Sequence, residues 1–336
     1  MNKPHNSPTP MLVGENAKQS DIYQPWELDN QAWWDWYITL AENKPEEFSY
    51  QEEINNLNTG KQLSLKNLKA ELSKPFNLKK ADYDFFLKNG FIKIKNILSN
   101  DSIFTLHREL SKIIMSEFSE KRIKEANFLS MDLIWLNNKI VKEFVLSKRI
   151  AKIAAQLLNV PTIRLYHDNI LSKQPGCGRT PWHYDIHHFP LDTKDVVTVW
   201  IPAQPISMQM GPLSFAKPLD AYKHVEKIKF NKFNKNYDKK VSDLFKEKKI
   251  EIESSAFEVG EISFHHNLCF HNAPPNNTTR SRIVLANTFF KDGTKVVKNP
   301  TMVSGDWKKF IPNTDPGGLI NSPLNPICWP EESLDV

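Results

Sequence analysis

The feature that most constrains the fold is a series of short β-rich segments in the second half of the chain. These segments are residues 162–171, 196–202, 211–216, 261–266 and 283–290. Proline, glycine, aspartate or asparagine bounds each of them, and these residues form turns. Because regular helices do not separate the segments, they predict an antiparallel sandwich or barrel of the jelly-roll kind rather than a parallel α/β sheet.

The residues before this series favour helices. A short helix over 81–90 ends at Gly90 and is followed by a half-buried strand within 91–98. The apolar residues of 101–114 and of 141–158 recur at helical spacing, which predicts two longer amphipathic helices. The fold class is therefore an all-β core with helices (α+β), in which N-terminal helices pack on the jelly roll.

The composition changes along the chain and divides it into regions. We expect a mobile N-terminus at residues 1–20 and a single domain over 21–336. Inside that domain the sequence predicts a helical support region at 80–160, a jelly-roll core at 161–292 with a lysine-rich insertion at 219–255, and a C-terminal extension at 293–336. The insertion is predicted to be partly helical and to cover one end of the barrel.

Four of the nine tryptophans lie close together near the N-terminus. They are Trp26, Trp33, Trp34 and Trp36. Buried indoles are mostly packing residues, so we interpret this segment as an anchoring arm, with an aromatic substrate lid as the alternative.

Composition and charge exclude several classes of protein. No run of about eighteen apolar residues occurs and the N-terminus lacks a signal-peptide pattern, so we expect a cytoplasmic protein without a membrane partner. Three widely spaced cysteines argue against a disulfide framework. The net charge of +5 is too small to predict nucleic-acid binding, and ten lysines against four acidic residues between Lys223 and Lys249 account for it. We expect a small-molecule substrate and no obligate protein partner.

Two residues of the segment WHYD have the spacing of metal ligands. On an extended backbone residues i and i+2 share a face, so His183 and Asp185 can bind one ion. A third ligand must come from His265, His266 or His271, and His271 is favoured because it ends an apolar stretch before a Pro-Pro turn. Two imidazoles and one carboxylate on one side of a metal are typical of non-haem Fe(II) oxygenases.

A further residue, Arg282, follows His271 by eleven positions and opens the last β-rich segment. A pocket arginine is costly to bury without an anion, and its planar fork matches a carboxylate. A dicarboxylate that contacts Arg282 at one end and the metal at the other accounts for both features. The sequence therefore predicts 2-oxoglutarate as the cosubstrate.

Three segments together carry a family resemblance. WHYDIHHFPLDTKD, VVTVWIPAQPISMQMGPLSFAKP and GEISFHHNLCFHNAPPNNTTRSR resemble, in order and spacing, the phytanoyl-CoA dioxygenase family of Fe(II)/2-oxoglutarate oxygenases. Upstream, NGFIKIKNILSNDSIFTLHREL is similar to the opening strand and helix of that family. The resemblance covers residues 80 to 292.

The resemblance implies a double-stranded β-helix and a set of site residues. It implies His183, Asp185 and His271 as iron ligands, and Arg282, Trp200 and Asn169 as contacts of 2-oxoglutarate. It also implies O₂ as a cosubstrate and stimulation by ascorbate. Related halogenases have a small residue in place of this carboxylate, so the presence of Asp185 favours hydroxylation or another oxygen-driven C–H oxidation.

In one place the chain departs from the family. Many members carry a hydroxyl two residues after the second histidine ligand, where this chain has Ala273. One expected hydrogen bond to the cosubstrate is therefore missing or supplied by another residue.

For the substrate, the sequence gives only candidate binding residues. Lys173, Arg179, His187 and His188 are candidates that favour a carboxylate-bearing metabolite, and His266 is predicted to support the site without binding metal. Oxidative cyclisation or desaturation in natural-product biosynthesis, as in kainoid synthases, is an alternative outcome of the same chemistry. A non-catalytic metal-binding sensor and a metal-assisted hydrolase are the alternatives from other classes.

Overall fold

The computed structural model of the protein describes residues 30–41, 60–125, 127–228, 236–300 and 307–330. The predictions for residues 1–20 and for Trp26 lie outside this part, as does the side chain of Trp33. The helices are α1 (Asn30–Ile38), α2 (Leu65–Leu72), α3 (Lys80–Asn89), α4 (Asn100–Glu117), α5 (Glu120–Lys124), α6 (Lys139–Val145), α7 (Lys148–Leu158), α8 (Tyr222–Val225) and α9 (Tyr237–Glu247). The strands are β1 (Phe91–Ile94), β2 (Phe128–Asp132), β3 (Ile163–Lys173), β4 (Thr180–His183), β5 (Val196–Pro202), β6 (Ser214–Lys217), β7 (Glu251–Ser254), β8 (Ile262–His266), β9 (His271–Ala273), β10 (Arg282–Lys291) and β11 (Ile327–Trp329).

Within these residues the strands form two antiparallel sheets that face each other without closing into a barrel. The larger sheet has the order β1-β8-β5-β10-β3-β11, with β2 also paired to β3. The smaller sheet has the order β4-β9-β6-β7. This arrangement is the predicted jelly roll with helices.

Alternation along the strands assigns the two faces of the larger sheet. In β10, Ile283, Leu285 and Phe289 pack with the helices, whereas Val284 and Ala286 face the smaller sheet. Successive side chains of a strand point to opposite faces, so each strand presents one set of residues to the helical layer and one to the interior between the sheets. Arg282 of β10, Trp200 of β5 and His265 of β8 belong to the interior set, whereas His266 of β8 lies on the helical side with Phe264.

The helical layer agrees with the sequence except at one break. Gly90 ends α3 in the left-handed conformation at φ 75°, and the predicted helix over 101–114 lies within α4. The helix predicted over 141–158 is wrong as a single element, because α6 ends at Val145 and α7 begins after Ser147. The Ser147 hydroxyl caps α7 by accepting from the Ile150 N–H, a bond that a continuous helix would not allow.

The insertion region also needs a correction of its boundary. Helix α9 packs against β4, but β7 lies inside the predicted insertion and pairs with β6 in the smaller sheet. The part that is additional to the two sheets therefore ends before Glu251. Tyr237, Val241 and Phe245 of α9 share an apolar cluster with Trp182.

Both ends of the described chain pack on the sheets. Trp34 of α1 stacks on Phe128 of β2 with ring centroids 4.6 Å apart, and the Gln31 amide donates to the Phe128 carbonyl and accepts from the Ser130 N–H. At the other end, β11 extends the larger sheet beside β3. No helix in the described ranges is long and apolar enough to cross a membrane.

Candidate metal centre

The structure brings the three predicted ligands together between the sheets. His183 ends β4, Asp185 follows it, and His271 begins β9 directly opposite His183 in the pairing of the two strands. Their candidate ligand atoms all lie within 4.8 Å of one another. Asp185 Oδ1 is 3.8 Å from His183 Nε2 and 3.7 Å from His271 Nε2.

Backbone carbonyls orient both imidazoles. The Nδ1–H of His183 donates to the Pro181 carbonyl at 2.8 Å, and that of His271 donates to the Cys269 carbonyl at 3.0 Å. Each bond fixes the tautomer in which Nε2 carries the lone pair. Both Nε2 atoms face the Asp185 carboxylate, as metal ligation requires.

The electrostatics of the site fit the same protonation state. Burial alone raises the pKa of Asp185, but the imidazoles of His271, His265 and His183 hold it well below its usual range. Burial lowers the pKa of His183 and of His271. At neutral pH the set is thus one carboxylate and two neutral imidazoles, the forms that bind a divalent ion.

Two further residues hold the carboxylate in place, and the sequence did not predict this role for them. The Thr198 hydroxyl donates to Asp185 Oδ2 at 2.9 Å, and His265 Nε2 lies 3.4 Å from the same oxygen. His265 is 2 % exposed. Alternation along β8 was the signal for it, because His265 points to the interior whereas Phe264 points to the helices.

The third candidate histidine lies outside the ligand set. His266 Nδ1 accepts the Leu268 N–H at 3.1 Å, and burial lowers the pKa of His266 to about 4. Of the three candidates, only His271 joins His183 and Asp185.

Arg282 is a buried cation with incomplete hydrogen bonding. It is 2 % exposed, its Nη1–H donates to the Gly211 carbonyl at 2.6 Å, and its guanidinium lies 5.2 Å from the centre of the Trp200 ring. Its Nε–H has no partner among the described residues. Burial lowers the pKa of Arg282 to about 10, so the group stays charged at neutral pH. An anion between Arg282 and the metal ligands would satisfy it.

The other two predicted cosubstrate contacts, Trp200 and Asn169, lie between Arg282 and the metal ligands. Ala286 of β10 is paired with Trp200 on one side and with Asn169 on the other, which places both on the same row of the sheet. Thr288, one interior position further, is paired with Thr198, the partner of Asp185. The Asn169 Oδ1 accepts from the Ser130 hydroxyl at 2.9 Å. The predicted row of cosubstrate residues therefore leads from the metal ligands towards Arg282.

Two of the predicted substrate residues, Lys173 and Arg179, are held by other groups of the protein. Lys173 is paired with Arg282, and its Nζ donates to the carbonyls of Pro274 at 2.8 Å and Ala273 at 3.3 Å. Arg179 forms an ion pair with the buried Asp238 of α9.

The remaining substrate candidates are His187 and His188, and the structure describes the side chain of His188 alone. The His188 ring centre lies 5.9 Å from that of His183. The side chain of His187 lies outside the described part of the structure. His188 is thus the one described substrate candidate that contacts a metal ligand.

Taken together, the fold and the site define a class of protein, the jelly-roll proteins with a two-histidine, one-carboxylate metal centre. More particularly, the chain belongs to the phytanoyl-CoA dioxygenase family, because the family model matches residues 86–284, more than half of the chain. The mouse protein named "Phytanoyl-CoA dioxygenase, peroxisomal" is 25 % identical over 148 residues. That match spans 38 % of this chain and 44 % of the mouse protein, less than half its length.

Solved structures of this fold include three with small-molecule chemistry in their names. The non-haem carbocyclase SnoK from nogalamycin biosynthesis superposes with a TM-score of 0.62 at 19 % identity, covering 76 % of this chain and 99 % of its own. The epimerase SnoN, in complex with Fe³⁺, α-ketoglutarate and nogalamycin RO, superposes with a TM-score of 0.57 at 15 % identity. The match covers 74 % of this chain and 98 % of SnoN. EctD from S. alaskensis, with 2-oxoglutarate and 5-hydroxyectoine, superposes with a TM-score of 0.56 at 13 % identity. The match covers 82 % of this chain and 98 % of EctD. At these identities the likeness concerns the fold.

Proposed function

We propose that the protein is an Fe(II)- and 2-oxoglutarate-dependent oxygenase that hydroxylates a C–H bond of a small organic metabolite. The observation that carries this proposal is Arg282, a buried guanidinium with an unpaired N–H, on the strand of the larger sheet that faces the metal ligands of the smaller sheet. A metal-assisted hydrolase has no use for a buried cation at that position. A dicarboxylate that also chelates the metal satisfies it.

The residues fit iron and 2-oxoglutarate. His183, Asp185 and His271 would hold Fe(II), and their arrangement on one side leaves positions for a chelating cosubstrate and for O₂. When bound, the iron with 2-oxoglutarate and O₂ supplies the oxidation that converts a C–H bond to C–OH, with release of succinate and CO₂.

The chain's own residues position and shield the reactants. Arg282 would bind the distal carboxylate of 2-oxoglutarate, with the Trp200 ring against its guanidinium. Thr198 and His265 orient the carboxylate ligand. Ala273 is buried beside this pocket and provides no hydroxyl, so Arg282 and Asn169 would bind the cosubstrate without that contact.

The comparisons support the reaction class more than the substrate. The family is one of dioxygenases, and SnoN and EctD were crystallised with α-ketoglutarate or 2-oxoglutarate. Oxidative cyclisation or desaturation in natural-product biosynthesis stays the alternative outcome, and SnoK, named a carbocyclase, has this fold. Cytoplasmic location and a carboxylate-bearing substrate stay predictions.

The direct test is cosubstrate binding without oxygen. Anaerobic addition of 2-oxoglutarate to the Fe(II)-loaded protein is expected to give a visible charge-transfer band. Arg282→Ala is expected to lower the affinity for 2-oxoglutarate by at least about a hundredfold, because it removes a buried charge partner. The absence of the band, or an unchanged affinity in the variant, would refute the proposal.

A second measurement separates an enzyme from a sensor. Once O₂ is admitted, an oxygenase releases succinate and is stimulated by its substrate, whereas a sensor binds metal and 2-oxoglutarate without turnover. Screening a metabolite panel for substrate-stimulated succinate formation tests this, and analysis of the product separates hydroxylation from ring closure or desaturation.

A further inference from the structure

A continuous series of aromatic and imidazole rings leads away from the metal ligand His183. The ring centre of Tyr37 in α1 lies 5.8 Å from that of His183 and 6.2 Å from that of His188. The ring collar is defined here as Tyr37, His188, Phe189, His167 and Phe310. His188 and Phe189 are 6.4 Å apart.

The other half of the ring collar closes on β3 and on the C-terminal segment. His167 lies 6.0 Å from Phe189 and is stacked on Phe310 at 4.6 Å with an interplanar angle of 27°. Four separate parts of the chain thus contribute: α1, the turn after Asp185, β3, and the segment that precedes β11. Tyr37 is 3 % exposed, so its ring is enclosed and does not belong to the outer surface.

The ring collar lies at the metal end of the interior face, opposite the cosubstrate end. His167 is paired with Thr288, and Thr288 Oγ1 is 3.3 Å from the Thr198 hydroxyl that bonds Asp185. Arg282 lies six residues away on the same strand, about 20 Å along the backbone. A molecule bound in the ring collar would therefore lie beside His183, towards the opposite end of β10 from Arg282.

Four of the five rings of the ring collar are uncharged at neutral pH. Those of Tyr37, Phe189 and Phe310 carry no charge there, and burial lowers the pKa of His167, so its imidazole is neutral as well. Lys309, beside Phe310, forms an ion pair with Asp132 at 2.5 Å. Arg179, predicted from the sequence to bind an anionic substrate group, is paired with Asp238 instead.

A set of rings such as the ring collar selects a ligand by its shape and by the contacts that its own rings can make. Aromatic pairs are favourable in edge-to-face and offset-stacked geometries, and a site without free charge does not compensate the desolvation of a carboxylate. We propose that the ring collar is the substrate subsite of the oxygenase and that it takes an uncharged, planar ring portion of the substrate. This inference rests on the proposed function, and it replaces the carboxylate-bearing substrate predicted from the sequence with a neutral ring.

Equilibrium dialysis with two probes that share the same planar ring system tests this. The full-length protein, loaded anaerobically with Fe(II) and 2-oxoglutarate, is dialysed against 2-naphthol and separately against 2-naphthoate. We expect 2-naphthol to bind at least about tenfold more tightly than the anion and to shift the charge-transfer band of bound 2-oxoglutarate. Zn(II) in place of iron is expected to give the same order of affinities, which makes the result independent of turnover.

Variants identify the residues. Tyr37→Ala and Tyr37→Leu are expected to weaken 2-naphthol binding by about tenfold, whereas Tyr37→Phe, which keeps the ring, stays within about threefold. His167→Ala is expected to behave like Tyr37→Ala. Tyr83→Ala on α3, a residue outside the ring collar, is the matched control and is expected to bind as the unchanged protein does. An intact band with 2-oxoglutarate shows that each variant is folded.

The outcomes separate the two proposals. If no band forms with 2-oxoglutarate in the unchanged protein, the proposed function fails. If the band forms but 2-naphthol does not bind, if 2-naphthoate binds more tightly, or if Tyr83→Ala weakens binding as much as Tyr37→Ala, the neutral ring subsite is wrong and the oxygenase proposal stands.

Discussion

The carboxylate of Asp238 accepts the backbone N–H of Trp182 at 2.7 Å, and it thereby joins the lysine-rich insertion to the strand that ends in His183. The same carboxylate binds the guanidinium of Arg179 through both of its oxygens. A buried acid on α9 thus stabilises the loop and strand immediately before the first metal ligand. The insertion therefore supports the strand that carries the first metal ligand.

Removal of the Asp238 carboxylate is expected to lower the free energy of unfolding more than removal of an exposed carboxylate does. In Asp238→Ala, Arg179 loses its partner and the Trp182 N–H its acceptor, so the free energy of unfolding should fall by about 3 kcal/mol. That value is at the lower end for a broken buried pair, because the Arg179 side chain is 23 % exposed. Urea unfolding of the metal-free protein measures it. Asp243→Ala, on the exposed side of α9 beside Lys239, is the control and should change stability by less than about 1 kcal/mol. Equal losses in the two variants would contradict the role assigned to Asp238.

The hydroxyl of Thr198 is expected to tune metal affinity. Thr198→Val removes the bond to Asp185 Oδ2 and keeps the shape of the side chain, so the affinity for Fe(II) or Co(II) should fall by about 10- to 100-fold. Thr198→Ser should retain most of it. Competition with a chromophoric chelator measures the affinity. Thr294→Val loses a buried hydroxyl bond to the Lys291 carbonyl, and it should lower stability without a change in metal affinity.

Arg282 is expected to bind the cosubstrate without stabilising the fold. Arg282→Met replaces a buried cation by a flexible, unbranched apolar chain, so unfolding in the absence of 2-oxoglutarate should require as much free energy as before, or more. The stabilisation that added 2-oxoglutarate gives the Fe(II)-loaded protein should disappear in the same variant. Thermal unfolding with and without the cosubstrate measures both effects, and Arg280→Met is the matched control. A large loss of stability in cosubstrate-free Arg282→Met would show that the guanidinium is a structural group.

The pH dependence of stability is expected to include His266. Its pKa is about 4 in the folded protein because of burial, and about 6.5 in the unfolded chain, so the unfolded state binds more protons between these values. Stability should therefore be lost as pH falls from about 6.5 towards 4, by up to about 3 kcal/mol from this group.

The substitution His266→Asn isolates this contribution. Asn can keep an acceptor for the Leu268 N–H but does not titrate, so the loss on acidification should be smaller in the variant. Urea unfolding of the chelator-treated protein between pH 7 and pH 4 measures the difference. His224→Asn, on the exposed surface of α8, controls for the change of one histidine. Parallel curves for the unchanged protein and His266→Asn would exclude the assignment.

The sequence predicted those parts of the structure whose signals are local. The segment 196–202 became β5, whose seven residues are all buried, because it lies centrally in the larger sheet. The helix stop at Gly90 is confirmed by its left-handed backbone. The predicted strand at 211–216 is shifted to 214–217, since Gly211 has a φ of 76° and approaches the Pro274 carbonyl too closely for any side chain.

The relationships that cross the fold could not be predicted in the same way. Nothing in the neighbourhood of Arg179 shows that Asp238, 59 residues later, takes its charge. Nothing near Trp34 and Trp36 indicates that Tyr37 lies beside His183. Such pairs depend on how α1 and α9 pack on the smaller sheet, which no local pattern encodes.

The separation of the buried side chains into distinct clusters has a consequence for how such a protein can change. Trp200 and Ala273 pack in one apolar cluster, whereas Tyr37 and Tyr237 pack in another with β4. A replacement of α1 or α9 would therefore reshape the approach to the metal and leave the pocket beside Arg282 in place. Descendants of this chain could change the surroundings of His183 through α1, or through positions of α9 other than Asp238, while the pocket beside Arg282 is kept.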